Sequence, residues 1–434
     1  MSGSDQRPRT WPVDPQEAQP ILPDRLWIDG CFDFAHHGTR GSQLVPQIRP
    51  ASPNSHTTGH AGAILQARQL GTELYVGVHS DEEISENKGP AVMTLPERLA
   101  AVDACKWTTK TVPYAPYVTA LDWISHYGCQ YVVHGDDITS DASGEDCYRF
   151  VKAAGRFIVV KRTPGISTTD LVGRMLLCTK SHHIKSLQDY LMHSSGEHYG
   201  SGALQRIQDY ATDATGKQPG SEVWTWKASS KTQLLLPSSD AGVFDKLVAG
   251  RTPQPGQPVI YVDGGFDLFS SGHIEFLKQV TEAENQQAFV IAGIHDDGVI
   301  NHWKGLNYPI MNIFERGLCV LQCKYVNAVV FGAPFAPSRA YLQTLPYGQP
   351  TAVYHGPTAF IPLDYDPYVD AQALGILRRV PDHPFKHVNA GEIVERIMKG
   401  RAAFEERQRR KKLKAVGEEA QRLQEMEQEA AAQQ

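Results

Sequence analysis

The chain has 434 residues, 41% of them hydrophobic, and a net charge of −6. That size suits two or three globular domains with substantial cores, and the mild acidity argues against a nucleic-acid-binding protein, which needs a basic face for phosphate. No apolar run approaches the roughly 20 residues of a membrane span, and Met1 to Asp24 is polar and Pro-rich, unlike a signal peptide. The seven cysteines are scattered and odd in number, and read as reduced thiols rather than disulfides or a zinc site.

Residues 1–24 are expected to carry no fixed structure. From Leu26 onward, short β-rich runs alternate with segments of helical period. Strands are predicted over 26–28, 74–79, 131–134 and 156–161, and helices over 60–70, 96–105, 118–127, 146–154 and 169–178. That order predicts an α/β fold, a parallel sheet with helices on both faces. Residues 186–256, rich in Ser, Gly and Gln, read as an irregular linker, and the pattern restarts at Val259. Residues 401–434 are charged and rich in Ala, Gln and Glu, and predict a solvated helical tail.

The restart is a repeat. Asp29-Gly30-Cys31-Phe32-Asp33 returns as Asp263-Gly264-Gly265-Phe266-Asp267, and Gly77-Val78-His79-Ser80-Asp81 as Gly293-Ile294-His295-Asp296-Asp297. Lys88-Gly89 matches Lys304-Gly305, Cys105-Lys106 matches Cys323-Lys324, and His134-Gly135 matches His355-Gly356. So many matches in one order predict duplicated domains, 25–185 and 257–400. Each has a capping box, Thr94 to Glu97 and Asn312 to Glu315. Glu97 reads as structural; for Arg98 a structural role and a phosphate contact stay equally open.

The chemistry gathers where strands end. Gly30, Cys31 and Phe32 follow the first strand, where glycine lets backbone approach a ligand. The next helix begins at a Gly-His, and its free N–H groups and dipole favour phosphate. His36, Gly38 and His60 are the candidates there, with Lys88 in a loop that recurs at Lys304. Arg162, Thr163, Gly165, Ile166, Ser167, Thr168 and Thr169 follow a later strand and open another helix, again suited to phosphate. His134 and Gly135 end a strand at the same sheet edge, and Asp136 and Asp137 suit either a cationic head group or a cap. Trp107, Tyr114 and Tyr117 suit a cation–π wall or plain packing. In the second copy Gly265, Phe266, His273, Lys304, His355, Gly356, Pro357 and Thr358 stand in nucleotide-binding places. No Ser-His-Asp set and no metal-ligand cluster accompanies these residues. The pattern points to phosphoryl or nucleotidyl transfer by positioning and charge neutralisation.

His-x-Gly-His after strand one and Arg162-Thr163-Pro164-Gly165-Ile166-Ser167-Thr168-Thr169 before a late helix resemble the two signatures of the cytidylyltransferases. Two such domains in tandem, over about residues 25–400, resemble the ethanolamine-phosphate branch of that family. The resemblance implies two tandem Rossmann-like nucleotidyltransferase domains that transfer CMP from CTP to phosphoethanolamine. Mg²⁺ would come with CTP, and no cofactor would be held by the protein. His36 and His60 would stabilise charge on the CTP phosphates, Lys88 would bridge the two substrates, and 162–169 would hold the nucleotide. Asp33, Trp107, Asp136 and Asp137 would lie near the substrate. A cytoplasmic enzyme, loosely associated with the endoplasmic reticulum, is implied, and a homodimer stays open. The alternative within the class is a phosphocholine or other cytidylyltransferase, against which the tandem domains argue.

Two departures stand out. The second copy has Ser270 where the first signature histidine belongs, so it is expected not to catalyse. The first copy is interrupted: Asp29 and Gly38 precede Asp263 and Gly272 by 234 positions, but His60 precedes His273 by only 213, leaving 21 extra residues, 39–59. They split two groups that must meet one phosphate. The insert is in frame, and Gly38-Thr39 and Thr58-Gly59 allow codons with a GT start and an AG end, as in a retained intron. If it is part of the working protein, a catalytically disabled nucleotide-binding or regulatory protein is the alternative.

Overall fold

Buried strands alternate with helices through the first domain: β1 (Leu22–Gly30), α1 (His60–Leu70), β2 (Glu73–Val78), α2 (Asp81–Lys88), α3 (Leu95–Asp103), β3 (Lys110–Pro113), α4 (Leu121–His126), β4 (Cys129–Gly135), α5 (Arg149–Ala153), β5 (Phe157–Val160) and α6 (Thr168–Leu177). The computed structural model describes residues 18–33, 60–135, 139–161, 168–192, 202–229, 241–356, 365–407 and 409. The five strands are all parallel, in the order β3-β2-β1-β4-β5. Every strand and helix predicted for this domain is present. Two elements were not predicted. β3 is only four residues long, and α2 buries Ile84 alone, so neither displays a period. Leu22 to Asp24, expected to be unstructured, belong to β1.

The segment expected to be an irregular linker is largely ordered. It holds α7 (Leu187–Met192), α8 (Ala203–Tyr210), β6 (Glu222–Lys227) and β7 (Val243–Val248). The second domain continues with β8 (Val259–Gly264), α9 (Ser271–Ala283), β9 (Phe289–Ile294), α10 (Asp297–Lys304), α11 (Ile313–Leu321), β10 (Ala328–Phe331), α12 (Arg339–Thr344), β11 (Ala352–His355), α13 (Val369–Ala373), β12 (Leu377–Arg379) and α14 (Ala390–Lys399). Its sheet runs β12-β11-β8-β9-β10-β6-β7. The first five strands reproduce the first domain's order, and β6 extends the sheet in parallel beside β10. β7 closes that edge antiparallel to β6. The polar composition of the surrounding stretch masked two short strands, of which β6 buries Val223 and Trp226 in two different hydrophobic clusters and β7 buries no residue fully.

In both sheets the strand order reverses beside the first strand of the repeat, so a crevice opens at the carboxyl ends of β1 and β4, and again of β8 and β11. One repeated glycine has a direct cause. A Cβ on Gly77 would lie 2.3 Å from the Trp27 ring, and one on Gly293 would lie 2.3 Å from the Tyr261 hydroxyl.

The two copies meet as equivalent surfaces. Cys105 and Cys323 form an antiparallel bridge. The Lys106 N–H donates to the Gln322 carbonyl at 2.9 Å, and the Lys324 N–H to the Ala104 carbonyl at 2.8 Å. Arg174 forks onto Glu315 at 2.8 and 3.0 Å, and Arg396 onto Glu97 at 2.8 and 2.9 Å. Each residue's contact is returned by its repeat partner, the pattern of an isologous interface, here inside one chain.

Candidate active site

The first site grows from the end of β1. Phe32 sits at φ +50°, and Phe266 at φ +48° in the second copy. A bulky residue in the left-handed region is strained, and such strain concentrates at functional sites. The turn buries each ring and faces the following aspartate inward. Asp33 Oδ1 accepts from the Val92 and Met93 N–H groups at 2.7 and 2.9 Å. Asp267 accepts from the equivalent Ile310 and Met311 N–H groups, one on each oxygen, at 2.8 and 2.9 Å. The turn after the strand therefore grips the loop that follows Lys88 at the end of α2, or Lys304 at the end of α10.

The structure places Gly30, Cys31 and Phe32 at the strand end and starts α1 at His60. Lys88 ends α2, its Nζ 5.7 Å from the centre of the Tyr117 ring. His134 and Gly135 end β4, with the His134 ring 4.5 Å from Tyr148. Thr168 and Thr169 open α6. His36, Gly38, Asp136, Asp137, Arg162, Thr163, Gly165, Ile166, Ser167, Pro357 and Thr358 lie outside the described residues.

Two substrate candidates are corrected. Trp107 is fully buried; its Nε1 donates to the Asp213 carbonyl at 3.1 Å and its ring stands edge-on to Tyr210. It follows the Cys105-Lys106 junction, so it packs beneath the other half of the chain and meets no crevice. Asp33 is 1% exposed, with one oxygen on the loop and the other 3.0 Å from Arg407 Nη1. Arg98 resolves toward structure: it is buried, donating to the Met93 and Cys31 carbonyls and to Asp81. Arg316 does the same in the second copy, on Met311, Gly265 and Asp297.

The second copy encloses a cavity of about 560 Å³. It brings together Gly265, Phe266, His273, Lys304, His355 and Gly356, all read from the sequence as a group. Where the first copy has its leading histidine, Ser270 donates its hydroxyl to the Val388 carbonyl at 2.6 Å. The Ser270 N–H donates to His273 Nδ1 at 3.1 Å, which leaves the ring proton of the neutral imidazole on Nε2. Burial, reinforced by Lys304, pushes the His273 pKa down to about 3, so the ring stays neutral. Burial lowers Lys304 to about 8 against the pull of Asp267. The arrangement offers a cation and a neutral imidazole to an anionic ligand.

One pair of residues escaped the sequence reading. Tyr148 donates to Asp29 at 2.8 Å and Tyr368 donates to Asp263 at 2.5 Å, linking each strand end to its His-Gly. The signal was present: Asp146-Cys147-Tyr148 and Asp366-Pro367-Tyr368 share a spacing, and in both the aspartate accepts from the tyrosine N–H at 2.9 Å.

The family model described as cytidylyltransferase-like matches residues 54–174 and 261–387. In the second copy the match begins within β8, but in the first it begins only at Asn54, so β1 falls outside it despite its place in the sheet. The chain is 38% identical over 397 residues to an ethanolamine-phosphate cytidylyltransferase from Mus musculus, covering 90% of each. It is 39% identical over 400 residues to one from Dictyostelium discoideum, covering 91% of this chain and 96% of the other. Likeness to choline-phosphate cytidylyltransferase A from Rattus norvegicus is 34% over 156 residues, 36% of this chain and 37% of that one.

Proposed function

The chain belongs to the ethanolamine-phosphate cytidylyltransferases, and on that premise we propose that its first domain carries the catalytic site. It transfers CMP from CTP to phosphoethanolamine, giving CDP-ethanolamine and pyrophosphate for phosphatidylethanolamine synthesis. A phosphate oxygen of phosphoethanolamine attacks the α-phosphorus, and the bond from that phosphorus to the pyrophosphate oxygen breaks. Charge develops on the leaving group, so catalysis consists of in-line positioning and neutralisation. In our reading His36 and His60 face that charge, Lys88 spans both phosphates, and 162–169 holds the nucleotide. Mg²⁺ would arrive on CTP; an ion held chiefly by phosphate oxygens needs few protein ligands.

Ser270 carries the choice of domain. Bonded to Val388, its hydroxyl holds a helix start together and replaces a group that would carry charge. The second cavity is then a nucleotide-binding pocket without turnover. No helix of the described residues is long and apolar enough to cross a membrane; we read the enzyme as cytoplasmic, meeting the endoplasmic reticulum through the users of its product. The surface on which two such domains would pair is already used within the chain, so a homodimer would need another face.

The test is CDP-ethanolamine formation by the chain with and without residues 39–59, with phosphocholine as competitor. Turnover without the insert is expected, with Lys88→Ala lowering kcat on the order of 100-fold or more and Lys304→Ala leaving kcat within about twofold. The reverse pattern moves catalysis to the second domain. The interruption between His36 and His60 favours a second reading, a nucleotide-binding regulator, and turnover in neither form selects it.

A further inference from the structure

The loop at 89–94 joins Lys88 to the capping box of α3, and two arginines from the far end of the chain close on it. Arg407, in the helical stretch 401–407, donates from Nη1 to Asp33 Oδ2 at 3.0 Å and to the Pro90 carbonyl. Its stem lies against Gly89, where a Cβ would be 3.5 Å from the arginine Cβ. Gly89 has φ +88°, a conformation only glycine adopts freely, so the loop has a natural hinge beside Lys88. Arg396 forks onto Glu97, whose Oε2 also accepts from the Thr94 N–H at 2.8 Å. The pair Arg407–Asp33 is no surface contact: the side chains are 16% and 1% exposed.

The second copy is built differently at this point. Arg174 takes both the Glu315 carboxylate and the Ile310 carbonyl. Asp267 gives each oxygen to a loop N–H, and among the described residues no arginine bonds to it. Asp33 instead takes both loop N–H groups on one oxygen and leaves the other for Arg407. The additional arginine is thus found in the copy that keeps the signature histidine, beside its lysine.

We propose that Arg407 is a positioning residue of the cytidylyl transfer, pinning the hinge at Gly89 so that Lys88 is held between the two phosphates. The inference rests on the role assigned to Lys88 above. A misplacement of about 1 Å can cost on the order of 100-fold in rate, so a loosened hinge shows in turnover before it shows in binding.

The test compares Arg407→Met, Arg407→Lys and Lys88→Ala with the full chain. The readouts are kcat, KM for CTP, and hydrogen exchange at the Val92 and Met93 amides. Arg407→Met is expected to lower kcat by about tenfold or more while KM for CTP stays within about twofold. The two amides should exchange faster, and Arg407→Lys should restore part of kcat. An unchanged kcat with unchanged exchange overturns the proposal. A higher kcat also overturns it, because the tail would then be a brake. If Lys88→Ala keeps full turnover, the role of Lys88 fails instead, and amide exchange alone judges Arg407. The same readout decides if the full chain shows no turnover: protection that survives Arg407→Met sinks the idea.

Discussion

Asp29 and Asp263 are the same residue of the repeat in two environments. Asp29 accepts from Trp27 Nε1, the Thr119 hydroxyl and the Tyr148 hydroxyl at 2.8, 2.6 and 2.8 Å. Asp263 accepts from Tyr368 on one oxygen, and the other has no partner among the described residues. Burial raises its pKa to about 7, against the hydrogen bond from Tyr368. The folded chain then keeps a proton that the unfolded chain gives up. Its contribution to stability is present below about pH 4 and is lost as pH rises toward 7. Asp263→Asn removes that loss, so its melting temperature relative to the parent should climb between pH 5 and pH 8. A gap that stays constant across that range contradicts the assignment. The comparison must be made at each pH, because burial also pushes His295 down to about 4 and gives both proteins the same acid loss. Little of this was legible locally: the two aspartates share the motif Asp-Gly-x-Phe-Asp, and apart from Trp27, two positions before Asp29, their partners lie more than 80 positions away.

At the scale of elements, helix starts do the joining between domains. Each capping box was legible because its residues lie within four positions. What the box glutamates bind was not. Glu315 is buried, which raises its pKa against the pull of Arg174, and the pair has side-chain exposures of 15% and 8%. Removing one partner of a buried pair leaves an uncompensated charge, at about 3–5 kcal/mol. Arg174→Ala should therefore destabilise by roughly 3 kcal/mol in denaturant titration, and Arg174→Met with Glu315→Gln should recover much of it. Equal losses in the single and double variants would show that packing, not charge, is at stake. The segment 186–256 is the counter-case, misread because its strands are only six residues each and its surroundings polar. Those strands were decided by a neighbour, β10, with which β6 pairs across more than 100 positions.

For the molecule as a whole, the duplicated domains share one core. A single buried cluster runs from Leu26 and Val76 through Val102 and Trp107 to Ile260, Phe314 and Val320. Opening either half exposes apolar surface of the other, so calorimetry should show one cooperative transition. Two well-separated transitions would contradict a shared core. The sequence by itself determined the architecture, the duplication, the Gly-His helix starts, the lysine loops and the loss of the leading histidine at Ser270. Those features rest on period, capping and spacing, which act within about a dozen residues and leave their mark there. Only the tertiary structure decided that Trp107 and Asp33 turn inward, that 186–256 builds sheet, and that Arg407 closes on Asp33 from 374 positions away. Such contacts depend on which surfaces burial brings together. A buried polar group must find a partner wherever the chain supplies one, and no local pattern records where that is.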